Sequence, residues 1–225
     1  MGAMDQIDPQ QPPAEIRRHT VTPGELRGFA EVLGLRSSVL ERCSMQFLLL
    51  VYAGSRGAPV GDPRRLALEV SALEGNLHAP GVLHNWGTKP AEEFDRPPLR
   101  GFWRKHYVLG GLSSFAVNVK LAMGKKNRRL REVIHEYYNP DTPLTVEAVP
   151  QLAGAIAGLY QERAMMGELT GEWIIFARHE EQNYYLSLAT HVELKADGGA
   201  ALVERIKGCI SEFPFLAEQV ERAAL

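Results

Sequence analysis

The chain has 225 residues, of which 45% are hydrophobic and 23% charged, and its formal net charge is −2 at pH 7. This length and composition allow a sizeable core and exclude a largely disordered chain. The longest apolar run, residues 47–51, is far shorter than the roughly 20 residues of a membrane-spanning helix, so no membrane partner is expected. With only Cys43 and Cys209 there is no disulfide framework, and a reducing cytoplasmic location is expected.

The N-terminal region differs from the rest of the chain. Residues 5–20 are rich in Gln and Pro and lack apolar periodicity, which is typical of a mobile tail. Met1-Gly2-Ala3-Met4 is interpreted as an expression scar ahead of a natural start near Asp5. We therefore predict a disordered tail over residues 1–20 and a single α+β domain over residues 21–225.

Cap signals predict two helices in the first third of the domain. Residues 22–25, Thr-Pro-Gly-Glu, combine an N-cap, a proline at the first helical position and a carboxylate three residues after the cap, so a helix should run to Gly34. Asp62-Pro63 repeats the cap and the proline, and this helix should end near Gly75. Between the two helices, the apolar run 46–53 is interpreted as a buried strand, although a core helix has the same signature.

Helical spacing of apolar residues continues in the second half. It predicts amphipathic helices over 112–119 and 130–137, joined at 124–127, then a longer helix over 149–166 and another over 200–210. Residues 78–98 contain four prolines and are predicted to form an irregular connection of the kind that often carries function.

The clearest β signal is a hairpin. Residues 173–177 and 184–188 are rich in β-branched and aromatic side chains and flank the polar residues 180–183. The predicted fold is therefore a mainly helical α+β domain with a small antiparallel sheet, built on a hairpin near residues 173–190 and joined by the 46–53 strand.

Positive charge is concentrated in one segment. Residues 100–131 carry nine basic and no acidic side chains, which leaves 16 basic against 27 acidic residues elsewhere, a remainder of −11. Such segregation is typical of a surface that binds a polyanion, although a solvated helix gives the same pattern. The predicted phosphate contacts within the segment are Lys125, Lys126, Arg128 and Arg131.

Three clusters of His, aromatic and basic side chains match the needs of a metal-independent ribonuclease, which uses a base, an acid and cations beside the phosphate. His106 and His179 are the candidate proton-transfer groups, and Arg104, Lys105 and Arg178 the candidate charge stabilisers. The candidate base-stacking and ligand-contact residues are His84, Trp86, Tyr107 and Tyr184. Each residue also has a structural interpretation. Trp103 and Tyr107, for example, have the spacing of one helical face.

No metal or cofactor is expected. If the hairpin turn is centred on residues 181–182, His179 and His191 lie roughly 23 Å apart along the strands and cannot share a zinc ion. No motif typical of a nucleotide loop or a metalloprotease is present.

The leading hypothesis is a cytoplasmic protein that binds RNA or a nucleotide-like phosphate ligand through residues 100–131. The order of helices followed by a late hairpin with Arg, His and Tyr resembles small bacterial ribonuclease toxins, which implies RNA cleavage. The alternative is a non-catalytic module that docks an acidic protein partner.

Overall fold

The computed structural model describes residues 20–58, 60–75, 88–109, 111–124, 128, 131–132, 135 and 148–225. Four helices come first: α1 (Pro23–Val32), α2 (Ser37–Leu40), α3 (Met45–Ser55) and α4 (Pro63–Leu73). The predicted start of α1 is confirmed by a capping box, in which Thr22 Oγ1 accepts from Glu25 N and Glu25 Oε2 accepts from Thr22 N. The predicted start of α4 is confirmed as well, since Asp62 caps it by accepting from Arg64 N at 2.9 Å.

The prediction of a strand over 46–53 was wrong, because these residues lie in α3. The Ser44 side chain caps this helix by accepting from Phe47 N at 3.0 Å. The helix buries Phe47, Leu48 and Val51, whereas Leu49 is 49% exposed. Because the exposed Leu49 is apolar as well, the sequence does not show the helical periodicity that would have distinguished a helix from a strand.

A four-stranded antiparallel sheet follows in the order β1-β2-β3-β4, with β1 (Glu92–Glu93), β2 (Trp103–Tyr107), β3 (Glu172–His179) and β4 (Gln182–Ala189). The hairpin prediction is confirmed, with Trp173 opposite Ala189 and His179 opposite Gln182. Trp103 and Tyr107 lie in strand β2, and not on one face of a helix as their spacing allowed. Strand β1 lies within residues 78–98, which were predicted to form an irregular connection.

Both faces of the sheet are covered, which explains the uninterrupted apolar run of β3. One face packs against α1–α4 in a cluster that includes Phe47, Ile174 and Tyr185. The other face packs on the C-terminal helices in a cluster that includes Ile175 and Leu202. These helices are α7 (His191–Asp197), α8 (Ala200–Gly208) and α9 (Leu216–Ala223).

The remaining described helices are α5 (Gly111–Ala122) and α6 (Ala148–Met165), which contact each other. Beyond α5, Arg128, Arg131, Glu132 and His135 are helical, and the rest of the predicted 130–137 helix lies outside the described residues. The predicted fold class, a mainly helical α+β domain with a small antiparallel sheet, is confirmed.

Candidate functional site

A charged cleft of about 370 Å³ lies at the end of the sheet where β2 begins and β3 ends. Because side chains alternate along a strand, the last residues of β3 reach this end from both faces of the sheet. We call it the arginine cleft, after Arg100, Arg178 and Arg222. Its lining also includes His179, Phe215, Glu93 and Glu218.

Arg178 is held in the cleft by an aromatic ring and an amide. Its guanidinium carbon lies 3.7 Å from the centroid of the Trp103 ring, and its Nε donates to Asn183 Oδ1 at 3.3 Å. Its terminal nitrogens make no hydrogen bond or ion pair within the described part of the chain. The stacking therefore fixes the position of the Arg178 guanidinium and leaves the N–H groups of its terminal nitrogens available to a ligand.

His179 lies flat against an aromatic ring. Its imidazole is nearly parallel to Phe215, with centroids 4.1 Å apart and an interplanar angle of 4°. Tyr184 packs edge-on against Phe215 with centroids 4.7 Å apart, and it also contacts Phe213. Tyr184 therefore supports the His179–Phe215 stack, and it is not among the residues that line the cleft.

The loop before β2 and helix α9 complete the cleft. Gln219 Nε2 donates to Gly101 O at 2.9 Å, which fastens α9 to this loop beside Arg100. Arg222 and Glu218 are 3.8 Å apart and largely exposed, a geometry in which an ion pair is weak. Arg100 makes no ion pair with any described residue. The lining of the cleft thus contains three guanidinium groups and two carboxylates, and the Glu180 carboxylate lies 3.9 Å from His179 Nε2.

His106 is far from this cleft. It lies opposite Trp173 in the sheet, and His179 is six positions further along β3 than Trp173, roughly 20 Å at the rise of a strand. An acid and a base that act on one reacting group must both reach it. The predicted catalytic pair of His106 and His179 is therefore incompatible with the structure.

The surroundings of His106 are those of a core residue. It is 5% exposed, and Trp173 Nε1 donates to its Nε2 at 3.2 Å. Nδ1 therefore carries the proton and donates to Gly171 O at 3.1 Å. Burial lowers the pKa of His106 to about 4; the hydrogen bond to Gly171 O opposes this shift, and the neighbouring His191 ring adds to it within that value. The imidazole is thus held neutral, with both nitrogens in use.

Lys105 and Tyr107 are also unavailable to a ligand on the surface, which contradicts their predicted roles. Lys105 is 3% exposed and forms an ion pair with Glu69 at 3.3 Å. Burial lowers the pKa of Lys105 and raises that of Glu69. Tyr107 is 1% exposed and donates its hydroxyl to Val60 O at 2.9 Å.

Arg104 lies on the opposite face of β2 from Lys105. Its guanidinium lies over the rings of Phe94 and Trp173 and forms a 3.1 Å ion pair with Glu92. It does not line the arginine cleft. Arg104 and Lys105, although adjacent in the basic segment, therefore pack on opposite faces of the sheet and do not contribute to one charged surface.

The other predicted ligand contacts divide into two groups. His84, Trp86, Lys125 and Lys126 lie outside the described residues. Arg128 and Arg131 are helical and exposed, and Arg128 is 3.6 Å from Glu132. Neither of these two arginines is among the residues that line the cleft.

The cysteines are core residues. Both are buried, and burial raises the pKa of the Cys43 thiol to about 12 and also raises that of Cys209. Across the ranges that the structure describes, no three His, Cys, Asp or Glu side chains are grouped to hold a metal ion. Within the same ranges, no helix combines the length and apolar character needed to span a bilayer.

Sequence reasoning missed Arg222 and Phe215, and counted Arg100 only as part of the basic segment. Arg222 follows Glu218 by four residues on the exposed side of α9, but this pattern is common on solvated helices. Its position beside the hairpin tip depends on how α9 packs against the sheet, which no local pattern encodes.

Comparisons with protein-family models, with curated proteins and with solved structures found no significant match for this chain. The assignment of function therefore rests on the chemistry of the residues in the cleft.

Proposed function

We propose that this chain binds a phosphate-bearing ligand in the arginine cleft, in the first place a segment of single-stranded RNA. The observation that carries the proposal is the convergence of Arg100, Arg178 and Arg222 from three separate elements on one cleft beside a stacked imidazole. Arg100 comes from the basic segment, and Arg178 and His179 come from the hairpin.

Arginine is suited to this role because its planar guanidinium matches the oxygens of a phosphate in a bidentate fashion. The contacts of Arg178 and Arg100 with the rest of the described chain leave their terminal donors available. Glu93 and Glu218 temper the positive potential, which favours a ligand that carries its charge at discrete phosphates over a uniformly acidic surface.

His179 and Phe215 form the second element of recognition. Unstacked RNA bases are held on aromatic and imidazole planes. The His179 side chain is 41% exposed and lines the cleft, while its stack on Phe215 fixes the plane of the ring. A volume of about 370 Å³ is in the range of small-ligand sites and suits one nucleotide unit.

Cleavage by a pair of imidazoles is not part of the proposal. Among the described residues, His179 is the imidazole that lines the cleft, and His106 is buried roughly 20 Å away along the sheet. We therefore assign His179 a stacking role.

The experiment is a titration of fluorescein-labelled oligouridylate, followed by anisotropy at several salt concentrations. For single strands, the slope of log K against log salt is about −0.7 per neutralised phosphate, so three arginines predict a slope of about −2. The double variant Arg178→Gln/Arg222→Gln should bind at least about a hundredfold more weakly and with a shallower slope. Arg27→Gln/Arg36→Gln removes the same charge from exposed positions outside the cleft and is the matched control.

Variants at His179 test the stacking role. Phenylalanine preserves a flat ring and cannot transfer a proton, so His179→Phe should retain affinity, while His179→Ala should lose about tenfold or more. Equal loss in both variants contradicts the stacking role.

Competitors separate the possible ligands. If uridine monophosphate displaces the RNA at comparable affinity, the ligand is a free nucleotide. If it fails to compete, the ligand is an RNA strand. Equal effects of the cleft variant and its control would overturn the proposal. Binding of polyglutamate with no binding of RNA would replace it with docking of an acidic protein.

A further inference from the structure

The lining of the arginine cleft includes a carboxylate, Glu218, next to the His179–Phe215 stack. We infer that Glu218 accepts hydrogen bonds from the Watson–Crick edge of a guanine base, so that the cleft selects guanosine among the nucleotides of an RNA strand. This inference rests on the proposed function, because it names the base that the same cleft would hold.

Helix α9 aligns three residues of the cleft. Phe215 is the N-cap of α9 and has helical backbone angles, with φ −60° and ψ −21°. Phe215, Glu218 and Arg222 are therefore spaced as i, i+3 and i+7 on one face of the helix, and all three line the cleft. This face extends roughly 10 Å at the rise of an α-helix. Along the helix, Glu218 thus lies between the ring that supports the stack and the guanidinium that would bind a phosphate.

The second carboxylate of the lining, Glu93, is placed differently. It lies opposite Trp103 in the sheet, and the Trp103 ring is the one on which the Arg178 guanidinium stacks. Residues directly opposite each other in an antiparallel pair share a face of the sheet, whereas His179 follows Arg178 in β3 and lies on the other face. Glu93 is therefore separated from the ring on which a base would stack.

Glu218 is accessible and has acceptors available. Its side chain is 78% exposed, and its ion pair within the described part of the chain is the contact with Arg222 at 3.8 Å, which is longer than a hydrogen bond. Glu180 lies 3.9 Å from His179 Nε2 and does not line the cleft. The oxygens of Glu218 are therefore the acceptors that a base in the cleft meets.

Guanine is the base whose edge matches a carboxylate. Its N1–H and its 2-amino group are adjacent donors, so the two oxygens of one carboxylate accept from both. On the same edge of adenine, cytosine and uracil, an acceptor lies next to the donor, and a carboxylate repels that acceptor. A carboxylate also weakens binding of a nearby phosphate unless the ligand donates to it. The chemistry of this edge therefore favours guanine over the other three bases.

The test is an anisotropy titration of the full chain with labelled heptauridylates whose central residue is uridine, guanosine, adenosine or inosine. Guanine and adenine are both purines and stack similarly, so the ratio of their affinities reports on the edge of the base. Guanosine should bind at least about tenfold more tightly than adenosine. Inosine retains N1–H and lacks the 2-amino group, so its affinity should lie between the two.

Glu218→Gln should reduce the ratio of guanosine to adenosine affinity to near one. Two control variants remove the same charge elsewhere and should leave the ratio unchanged. Glu93→Gln changes the other carboxylate of the cleft, and Glu221→Gln changes an exposed position of α9 that does not line the cleft. Because the ratio is measured within each protein, a general effect of charge on phosphate binding cancels.

The inference is overturned if guanosine binds no more tightly than adenosine or inosine, or if the ratio survives Glu218→Gln. The proposed function stands in these cases when the all-uridine strand binds the unaltered chain and loses affinity in Arg178→Gln/Arg222→Gln. If none of the four strands binds, the proposed function fails and the inference fails with it.

Discussion

Trp173 Nε1 donates a 3.2 Å hydrogen bond to His106 Nε2, and His106 Nδ1 donates to Gly171 O at 3.1 Å. The two residues lie opposite each other on neighbouring strands. A proton added to Nε2 would have to displace the indole donor in a buried site. The pair thus joins β2 and β3 through a neutral imidazole, and this arrangement makes stability depend on pH.

We expect the protein to lose stability as the pH falls from 6.5 toward 4. The pKa of His106 is about 4 in the folded chain against 6.5 ordinarily, so the unfolded chain binds the extra proton across this interval. The free energy of unfolding then decreases with falling pH, by about 3 kcal/mol over the whole interval. Urea unfolding followed by tryptophan fluorescence at a series of pH values measures this loss.

The variant His106→Gln isolates the contribution of His106. The charged and titratable neighbours His191, Lys89 and Glu92 remain in the variant, so their contributions appear in both proteins. The variant should be less stable at pH 7 but should lose less stability between pH 6.5 and pH 4. Parallel pH profiles for the two proteins would show that His106 is not the group responsible.

Removing one partner of the buried ion pair should be more costly than removing both. Lys105→Met leaves the carboxylate of Glu69 buried without its cation and should lower the free energy of unfolding by about 3–5 kcal/mol. In the double variant Lys105→Met/Glu69→Gln no buried charge remains, and much of the loss should be recovered. Denaturant midpoints of the three proteins provide the measurement.

The same pair predicts a further pH effect. Because burial raises the pKa of Glu69, acid protonates this carboxyl more readily in Lys105→Met, and the difference in stability between the single and the double variant should shrink as the pH falls. A constant difference would argue against an unpaired carboxylate as the cause.

The hairpin turn is a site where stability can be increased. Glu180 and Glu181 have φ values of +49° and +62°, the left-handed backbone of a two-residue hairpin loop that favours Asn and Gly. Glu180→Asn/Glu181→Gly should therefore stabilise the protein by about 1 kcal/mol. The reversed variant Glu180→Gly/Glu181→Asn retains the same composition and serves as a comparison. A lower melting temperature for the Asn-Gly turn would contradict this explanation.

Gly171 is required by a close backbone approach between strands. A Cβ atom at this position would lie 1.9 Å from Tyr107 O, and backbone atoms cannot move aside cheaply. Gly171→Ala should destabilise the protein by about 3 kcal/mol. At Gly208, the last residue of α8, a Cβ atom meets nothing within 4 Å, and Gly208→Ala should be neutral or stabilising by up to about 1 kcal/mol. Thermal unfolding of both variants checks the contrast.

The elements that were predicted correctly have local causes. Thr22 and Asp62 cap their helices with their own side chains, and the β-branched and aromatic run of β3 pairs with β4 across a two-residue turn. All of these interactions connect residues close together in the chain, so a pattern of residue types is sufficient to reveal them. Strand β2 left no such signal, because its partner β3 begins 65 residues after Tyr107, the last residue of β2.

The concentration of positive charge between residues 100 and 131 follows from the sequence, as do the late hairpin and the absence of a disulfide framework. The use of that charge depends on long-range packing. The strand pleat sends Lys105 into one core layer against Glu69 and Arg104 into the other, while α9 brings Arg222 and Phe215 to the hairpin tip beside Arg178 and His179. Strand pairing placed His106 opposite Trp173, six positions from His179 along β3, and helix docking assembled the arginine cleft. Both connect residues distant in sequence.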